Sequence, residues 1–416
     1  RGYAGWQEPT RLVENVDAIG YMTLSREEAT NDGSDSIYTD EYISRYIQNN
    51  RIDPDNYPIT DWRKAALTGS GFTHNHNVTF TASSDRIRVM TSVGYLNQKG
   101  IINNTGYYRY NVRNNMDFEI NKKLHLAFDI FGMYGHRDRN RYQGTYFNYM
   151  NTRDPLTLAQ YSTDYYATMS GSSVNFLATY HNEGGNYKND TYRLNGALTL
   201  TYDPTDWLTI EGKVAPRFVM TEGHTYLKII NFYTDPFGTL AASSNTNYGS
   251  LTESCNRSIY NNYFATAKFH KSVAKAHNFS LLLGASYEDF TEKTLSAYRQ
   301  EYPFPDYETI NAGADNEYKS NSGAMYQWAL ASFFGQELAI DRRPGVRVLR
   351  HQEGVDRIAV MALAVLEADG QQPEPFIVAF IVAGLHDLLA GLVDGVNGKP
   401  DRFLDPDHDT DVGRFT

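Results

Sequence analysis

The sequence predicts an all-β fold: a partial antiparallel transmembrane β-barrel with long extracellular loops, followed by a compositionally foreign tail, helical or disordered. Three observations carry this expectation. Apolar and polar side chains alternate over runs of roughly ten residues or more, the length a tilted membrane strand needs. The connections between these runs are alternately short and long, as in outer-membrane barrels. The chain is also 14% aromatic, with 32 Tyr against 21 Phe and 4 Trp, and rings such as Tyr107, Tyr108, Tyr134, Tyr202, Trp207 and Tyr287 fall at strand ends, at headgroup level.

Taken in order, RGYAGWQEPT reads as if it begins mid-strand, so the chain is expected to be a fragment. Residues 1–73 continue as a polar, acidic, helix-flavoured stretch: an early strand and a long loop. Trp62, near its end, is either loop packing or an interfacial anchor. From His76 the period changes, with Val78, Phe80 and Ala82 opposite Asn77, Thr79 and Thr81. The next runs repeat the pattern. Ile87, Val89, Thr91, Val93 and Tyr95 oppose Arg86, Arg88, Met90 and Ser92. Tyr108, Tyr110, Val112, Met116 and Phe118 oppose Arg109, Asn111, Arg113 and Asp117. Leu124, Leu126, Phe128 and Ile130 oppose His125, Ala127 and Asp129. Tyr192, Leu194, Leu198, Leu200 and Tyr202 oppose Arg193, Asn195, Thr199 and Thr201. Trp207–Ala215, Tyr263–Phe269 and Phe279–Glu288 read the same way.

Short connections are Ser83–Asp85, Asn121–Lys123, Pro204–Asp206 and Val273–Ala276. Long ones are roughly His136–Asp190, Glu222–Asn256 and Thr291–Ser322; loops of this length are uncommon in compact domains unless functional. Singly, each charged side chain on the polar faces suits a solvated sheet; together, opposite an aliphatic and aromatic face, they suit a hydrated barrel interior.

The net charge of −11 argues against a nucleic-acid partner, which would need a basic face. A single cysteine, Cys255, allows no intrachain disulfide. A mean hydropathy of −0.53 excludes a helical membrane protein but not a β-barrel. No charged-then-apolar leader is visible.

The residues also resemble a known family. GYAGWQEPTRLVENVDAIGYMTLSREEATND is similar to the segment that follows the plug in the SusC/RagA family of TonB-linked outer-membrane proteins. The stretch Tyr57–Leu124, with Tyr-Pro-Ile-Thr-Asp-Trp (Tyr57–Trp62), Gly94-Tyr95, Gly100-Ile101 and Arg109 through Asn114, resembles the family's most recognisable barrel region. The resemblance covers about residues 1–335 and is mainly architectural after Leu124. It implies import of large nutrients, oligosaccharides or peptides, through a plugged barrel of roughly 22 strands. The implied partners are a SusD-like surface lipoprotein, the TonB–ExbB–ExbD energy-coupling complex and outer-membrane lipid, in a Gram-negative, Bacteroidetes-like cell. The chain holds roughly ten strand candidates, too few to close such a barrel, and the plug and TonB-contact segment are expected to belong to a parent protein. The alternative is a surface-binding or adhesive β-protein without transport; a polysaccharide-degrading enzyme would need a carboxylate pair that does not stand out.

The resemblance stops near Gly335. No Tyr follows Tyr326, no Trp follows Trp328, no Ser follows Ser332, and Lys399 is the sole later lysine. Residues 336–416 hold 8 basic against 14 acidic side chains, −6 of the total −11. Such a break suits a frameshift or chimeric join, a helical domain with runs at Arg357–Glu367 and Phe376–Val393, or, least, a membrane helix over the second run. Asp405, Asp407, Asp409 and Asp411 alternate like a calcium loop but lack its glycine and closing glutamate.

No phosphate-cradling, nucleophile-elbow or metal-protease motif is present, and no cofactor is expected. His74 and His76 share a strand face, as polar strand-entry residues or as a metal pair. The densest aromatic loop, Asn140–Asn151, offers Tyr142, Tyr146, Phe147 and Tyr149 for stacking on a sugar ring, or for contact with the loop itself or the partner lipoprotein.

Overall fold

A computed structural model describes residues 1–139, 143–169, 175–180, 184–244, 248–273, 277–304, 307–341, 357–365 and 377–383. The chain opens with β1 (Gly2–Gln7), followed by three helices, α1 (Ala18–Asn31), α2 (Asp40–Asn50) and α3 (Trp62–Ala66). Each helix starts on an oxygen-bearing cap: Asp17 accepts from Gly20 N–H, Thr39 from Tyr42 N–H, and Asp61 from the N–H groups of Arg63 and Lys64. The wall then begins with β2 (Gly71–Ser83), β3 (Ile87–Lys99), β4 (Gly106–Asn121) and β5 (Leu124–Arg139). Two loop helices, α4 (Gln143–Thr152) and α5 (Phe176–Tyr180), precede β6 (Gly185–Thr205), β7 (Leu208–Val214) and β8 (Arg217–Leu227). A small hairpin, β9 (Asn231–Tyr233) and β10 (Leu240–Ser244), leads to β11 (Ser250–Val273), β12 (His277–Gln300) and β13 (Ser320–Asp341).

These strands form one antiparallel meander, each pairing with the next in sequence from β1 to β7, and then with β11, β12 and β13. β7 and β8 act as a single strand: both lie between β6 and β11, and the register continues across the junction, Leu198 facing Val214 and Asn195 facing Arg217. The break between them is Pro216, which has no N–H to give to β6. Its carbonyl still accepts from Gly196 N–H at 2.9 Å, and Ala215 exchanges both bonds with Asn262.

The strands exceed the expected length. β6 has 21 residues, β11 and β12 have 24 each, and β13 has 22. At about 3.3 Å per residue a 24-residue strand is roughly 80 Å long, whereas a tilted crossing uses about 9–11 residues. The long loops are correspondingly shorter than the sequence reading had them: the span read as Glu222–Asn256 contains the upper parts of β8 and β11, and that read as Thr291–Ser322 contains the last turnless stretch of β12. The reason is that above the membrane both faces of a strand meet water, so the one-sided alternation fades while the ladder continues.

Connection lengths sort by end. The β2–β3, β4–β5, β6–β7 and β11–β12 hairpins close at one rim within two or three residues. The α1–α3 segment, the α4–α5 segment, the β9–β10 segment and residues 301–319, with a 3-10 turn at Ile310–Ala312, all lie at the other.

Register also puts like with like. Val78 faces Val93, which faces Val112; Leu126 faces Leu200, which faces Gly212. Val78 is 71% exposed and Leu200 44%, so this is an apolar face with nothing of the chain upon it. The opposite face carries Arg109, Arg113, Arg193, Glu211, Lys213 and Lys268. There the Arg113 guanidinium lies 5.6 Å from the Phe131 ring, Arg217 5.0 Å from Tyr260, and the Tyr260 hydroxyl donates to Glu288 at 2.7 Å. Apolar outside and polar inside is the arrangement of a membrane barrel wall.

Beyond the compositional break, β13 runs past Gly335 to Asp341 without losing register with β12. The two tail runs read from sequence as helix-compatible are strands where described: β14 (Arg357–Val365) pairs with β13, and β15 (Ile377–Ala383) pairs with β14. Runs such as Ile-Val-Ala-Phe-Ile-Val-Ala suit a pleated surface, and the edge of β13 supplies unpaired backbone groups to meet them. Among the described residues β1 and β15 each have one neighbour, so the sheet is open. The Asp405–Asp411 alternation lies outside the described residues.

Candidate functional site

Among the described residues the largest fully buried side chains belong mostly to the loop-side rim, not to the wall. Trp62, 2% exposed, packs on Phe176 with ring centroids 4.9 Å apart, within a cluster that includes Ala66, Met150, Met169, Leu177 and Ile102 from the β3–β4 turn. Its indole N–H donates to the Asp154 carbonyl at 2.9 Å. Trp62 is therefore loop packing, not an interfacial anchor. A second cluster joins Ala18 and Met22 of α1 to Ile43 and Tyr46 of α2, with Leu156 against it. A third joins Ala178 of α5 to Ile230 and Phe232. Three separate long connections are thus bonded into one folded cap. Ser162 seals it further, giving its N–H and hydroxyl to the Asp55 carboxylate at 2.9 and 2.7 Å.

At the foot of the cap lies a cavity of ≈790 Å³ between the β3–β4 turn and the upper ends of β5, β6 and β8. Lys99, Arg139, Lys188 and Lys228 line it together with Asp138 and Glu308, and Tyr107, Tyr108, Tyr187 and Tyr226 supply rings. Arg139 stands 4.2 Å over the Tyr187 ring. Asn186 donates to both oxygens of Glu308, at 2.9 and 3.0 Å, which fixes that carboxylate at the cavity edge. Both charge signs, amides and aromatic faces suit a hydroxyl-rich or zwitterionic chain.

β6 can enter this rim because Gly185 adopts φ +105°, and a Cβ there would lie 2.0 Å from the Tyr226 carbonyl oxygen. Beside it, Tyr302 packs edge-on against Tyr226 at 5.5 Å, and burial, with the neighbouring Tyr226, pushes its hydroxyl up to about 12. Burial likewise raises the Tyr46 hydroxyl well above its ordinary range, where it donates to the Pro58 carbonyl at 2.9 Å.

Two histidines are clamped on the outer face near this rim. His136 bonds Asp190 at 2.8 Å and Asp138 at 3.2 Å; His224 bonds Glu253 at 2.6 Å and Glu308 at 2.8 Å. The second clamp ties the β12–β13 connection to the wall. No sequence signal announced it, because Glu308 is 84 residues from His224.

Of the sequence-picked aromatics, Tyr142 lies outside the described residues, and Tyr146 falls in α4 with its side chain outside them. Phe147 is 38% exposed on α4. Tyr149 turns into the cap, its ring 5.8 Å from Phe176 with Arg153 5.4 Å from its centroid. His74 and His76 do lie together, with ring nitrogens 3.2 Å apart. Among the described residues no group of three His, Cys, Asp or Glu could hold a metal ion.

No protein-family profile matches the chain. Over 257 residues it is 26% identical to TonB-dependent receptor P26 of Formosa agariphila, covering 59% of this chain and 24% of that protein. Over 97 residues it is 28% identical to TonB-dependent receptor P3 of the same organism, covering 23% and 9%. Among solved structures, the RagAB peptide transporter superposes with a TM-score of 0.64 at 14% identity, over 87% of this chain and 41% of that one. The RagAB peptide importer in its closed-closed state gives 0.58 at 15% identity, over 78% and 41%. The chain thus spans a quarter or less of the curated relatives it matches, and about two fifths of the RagAB chain.

Proposed function

We propose that this chain, whose curated homologues are TonB-dependent receptors, forms part of the wall and outer rim of a SusC/RagA-like importer. The cargo is a large nutrient, an oligosaccharide or peptide, passed on with a SusD-like surface lipoprotein and driven by the TonB–ExbB–ExbD complex. One observation carries the reading. The long connections between β1 and β13 lie at one rim, and three of them fold into a cap with its own cores, above a polar cavity and a wall that is apolar outside and charged inside. A simple adhesin needs exposed loops, not a cap seated over the mouth of a charged wall. Tyr142, Tyr146 and Phe147 are the aromatic positions proposed to meet cargo or lipoprotein, while Tyr149 holds the cap. The change of composition near Gly335 is proposed to mark a frameshift or chimeric join, which sequencing the gene across codon 335 tests.

The functional test is uptake by cells carrying or lacking the intact gene, supplied in turn with fluorescent oligopeptide and oligosaccharide pools. Loss of uptake of one pool on deletion, reproduced in the intact strain by a protonophore, is the expected result. Surface binding of a pool without uptake in either strain would establish the adhesive reading instead.

A further inference from the structure

The outer face from β5 to β12 carries two features that the import reading leaves unused. The first is an apolar groove of ≈270 Å³, lined by Phe128, Ile130, Leu194, Pro216, Phe218 and Ile259. It arises because Gly196 is opposite Pro216, so no side chain fills the space beside the proline ring. The second is a pair of cations. Arg257 on β11 directly faces Lys293 on β12; both are exposed, and neither makes an ion pair among the described residues. Like charges directly opposite on a sheet repel, so an anion lying across the pair relieves that repulsion.

The two features adjoin. Ile259 lines the groove, and Arg257 is the next position on the same strand face. Counted from Phe269, whose ring stacks with Trp207 at 6.1 Å, a crossing of about ten residues ends near Ile259. Arg257 therefore stands just above the hydrocarbon, where lipid phosphates lie. The nearest outer-face carboxylates do not neutralise it. Glu222 faces Cys255, one position above, and Asp289 is taken by the Asn261 amide at 2.9 Å.

We infer that this face binds one phosphate-bearing membrane lipid, with an acyl chain in the Gly196–Pro216 groove and the phosphate across Arg257 and Lys293. The guanidinium can take two phosphate oxygens and the ammonium a third. The inference rests on the reading of the apolar face as membrane wall.

The test uses the protein purified from outer membranes into detergent micelles containing dipalmitoyl phosphatidic acid, read by native mass spectrometry. One phosphatidic acid is expected to stay bound per chain, and R257Q/K293Q to lower its retention about tenfold or more. R257K/K293R, which keeps both charges, should retain most of it, and Gly196→Leu should reduce it by filling the groove. Equal retention by R257Q/K293Q, or equal retention of dipalmitoylglycerol, overturns the inference. Displacement by inorganic phosphate at micromolar concentration also overturns it, by making the pair a free-anion site. Extraction by alkaline carbonate tests the membrane wall separately from the lipid site. Protein that resists extraction yet shows no phosphatidic acid preference sinks the lipid site alone, and protein released to the supernatant sinks the membrane wall with it.

Discussion

Replacing Trp62 by Ala should melt the cap while the wall stands. The indole is 2% exposed, stacks near Phe176 at 4.9 Å, and holds the Asp154 carbonyl through its N–H. Truncating a buried Trp to Ala costs about 3–5 kcal/mol in lost transfer energy and cavity, and here also leaves a carbonyl without its donor. At roughly 1.4 kcal/mol per factor of ten, the cap should open about a hundredfold to a few thousandfold more often. The wall should not follow, because it is held by continuous backbone ladders, such as the pairing of β11 with β12 from Ser250–Gln300 to Val273–His277. Amide hydrogen exchange reads the difference directly: protection should fall in α3, α5 and residues 154–159 and stay constant in β4 and β5. Trp62→Phe keeps the ring contact and loses only the N–H bond, so it should cost about 1 kcal/mol. Equal loss of protection in β4 and β5, or none in α3 and α5, would refute the claim that the cap has a separable core.

Three further expectations follow from single positions. Gly185→Ala combines a left-handed backbone with a clash against the Tyr226 carbonyl; it should cost at least about 1–3 kcal/mol, seen as early proteolysis at the mouth of β6. Because the Tyr302 hydroxyl is raised to about 12 from its ordinary 10, folding favours its neutral form; that contribution is complete below pH 10 and is lost as pH rises from 10 through 12. Tyr302→Phe should accordingly flatten the alkaline limb of the cap's melting profile, and an unchanged limb would count against the buried contact with Tyr226. Leu200→Arg, on the apolar face, should destabilise the protein in lipid vesicles by about 2–4 kcal/mol, while Thr199→Arg on the inner face should cost far less; comparable urea midpoints for the two would reverse the assignment of faces.

The membrane part of each strand was legible because lipid on one side and water on the other impose a strict period of two, as in Val78, Phe80 and Ala82 against Asn77, Thr79 and Thr81. Short turns were legible for the same reason: Asn121–Lys123 interrupts two such runs with polar residues. The upper strands were not legible. Asp190, Glu222 and His224 occupy outer-face positions in water, so they read as loop although the ladder continues through them. Pro216 hid a continuous strand, since a proline argues locally against one. The purpose of Trp62 lay in a carbonyl 92 residues away, and nothing near it in sequence names that partner. Composition alone marks Tyr149 as a stacking residue, but Phe176, 27 positions on, turns its ring inward.

The looped rim faces outward from a membrane that the wall crosses, and cysteine labelling tests this orientation most directly. On a Cys255→Ser background, Cys is placed either at Phe237, 91% exposed in the looped rim, or at Asp85 in the tight β2–β3 turn. Intact cells are then treated with a membrane-impermeant maleimide. Labelling is expected at 237 in intact cells and at 85 only after the outer membrane is permeabilised. Labelling at 85 with protection at 237 in intact cells, or equal labelling of both, would contradict this orientation.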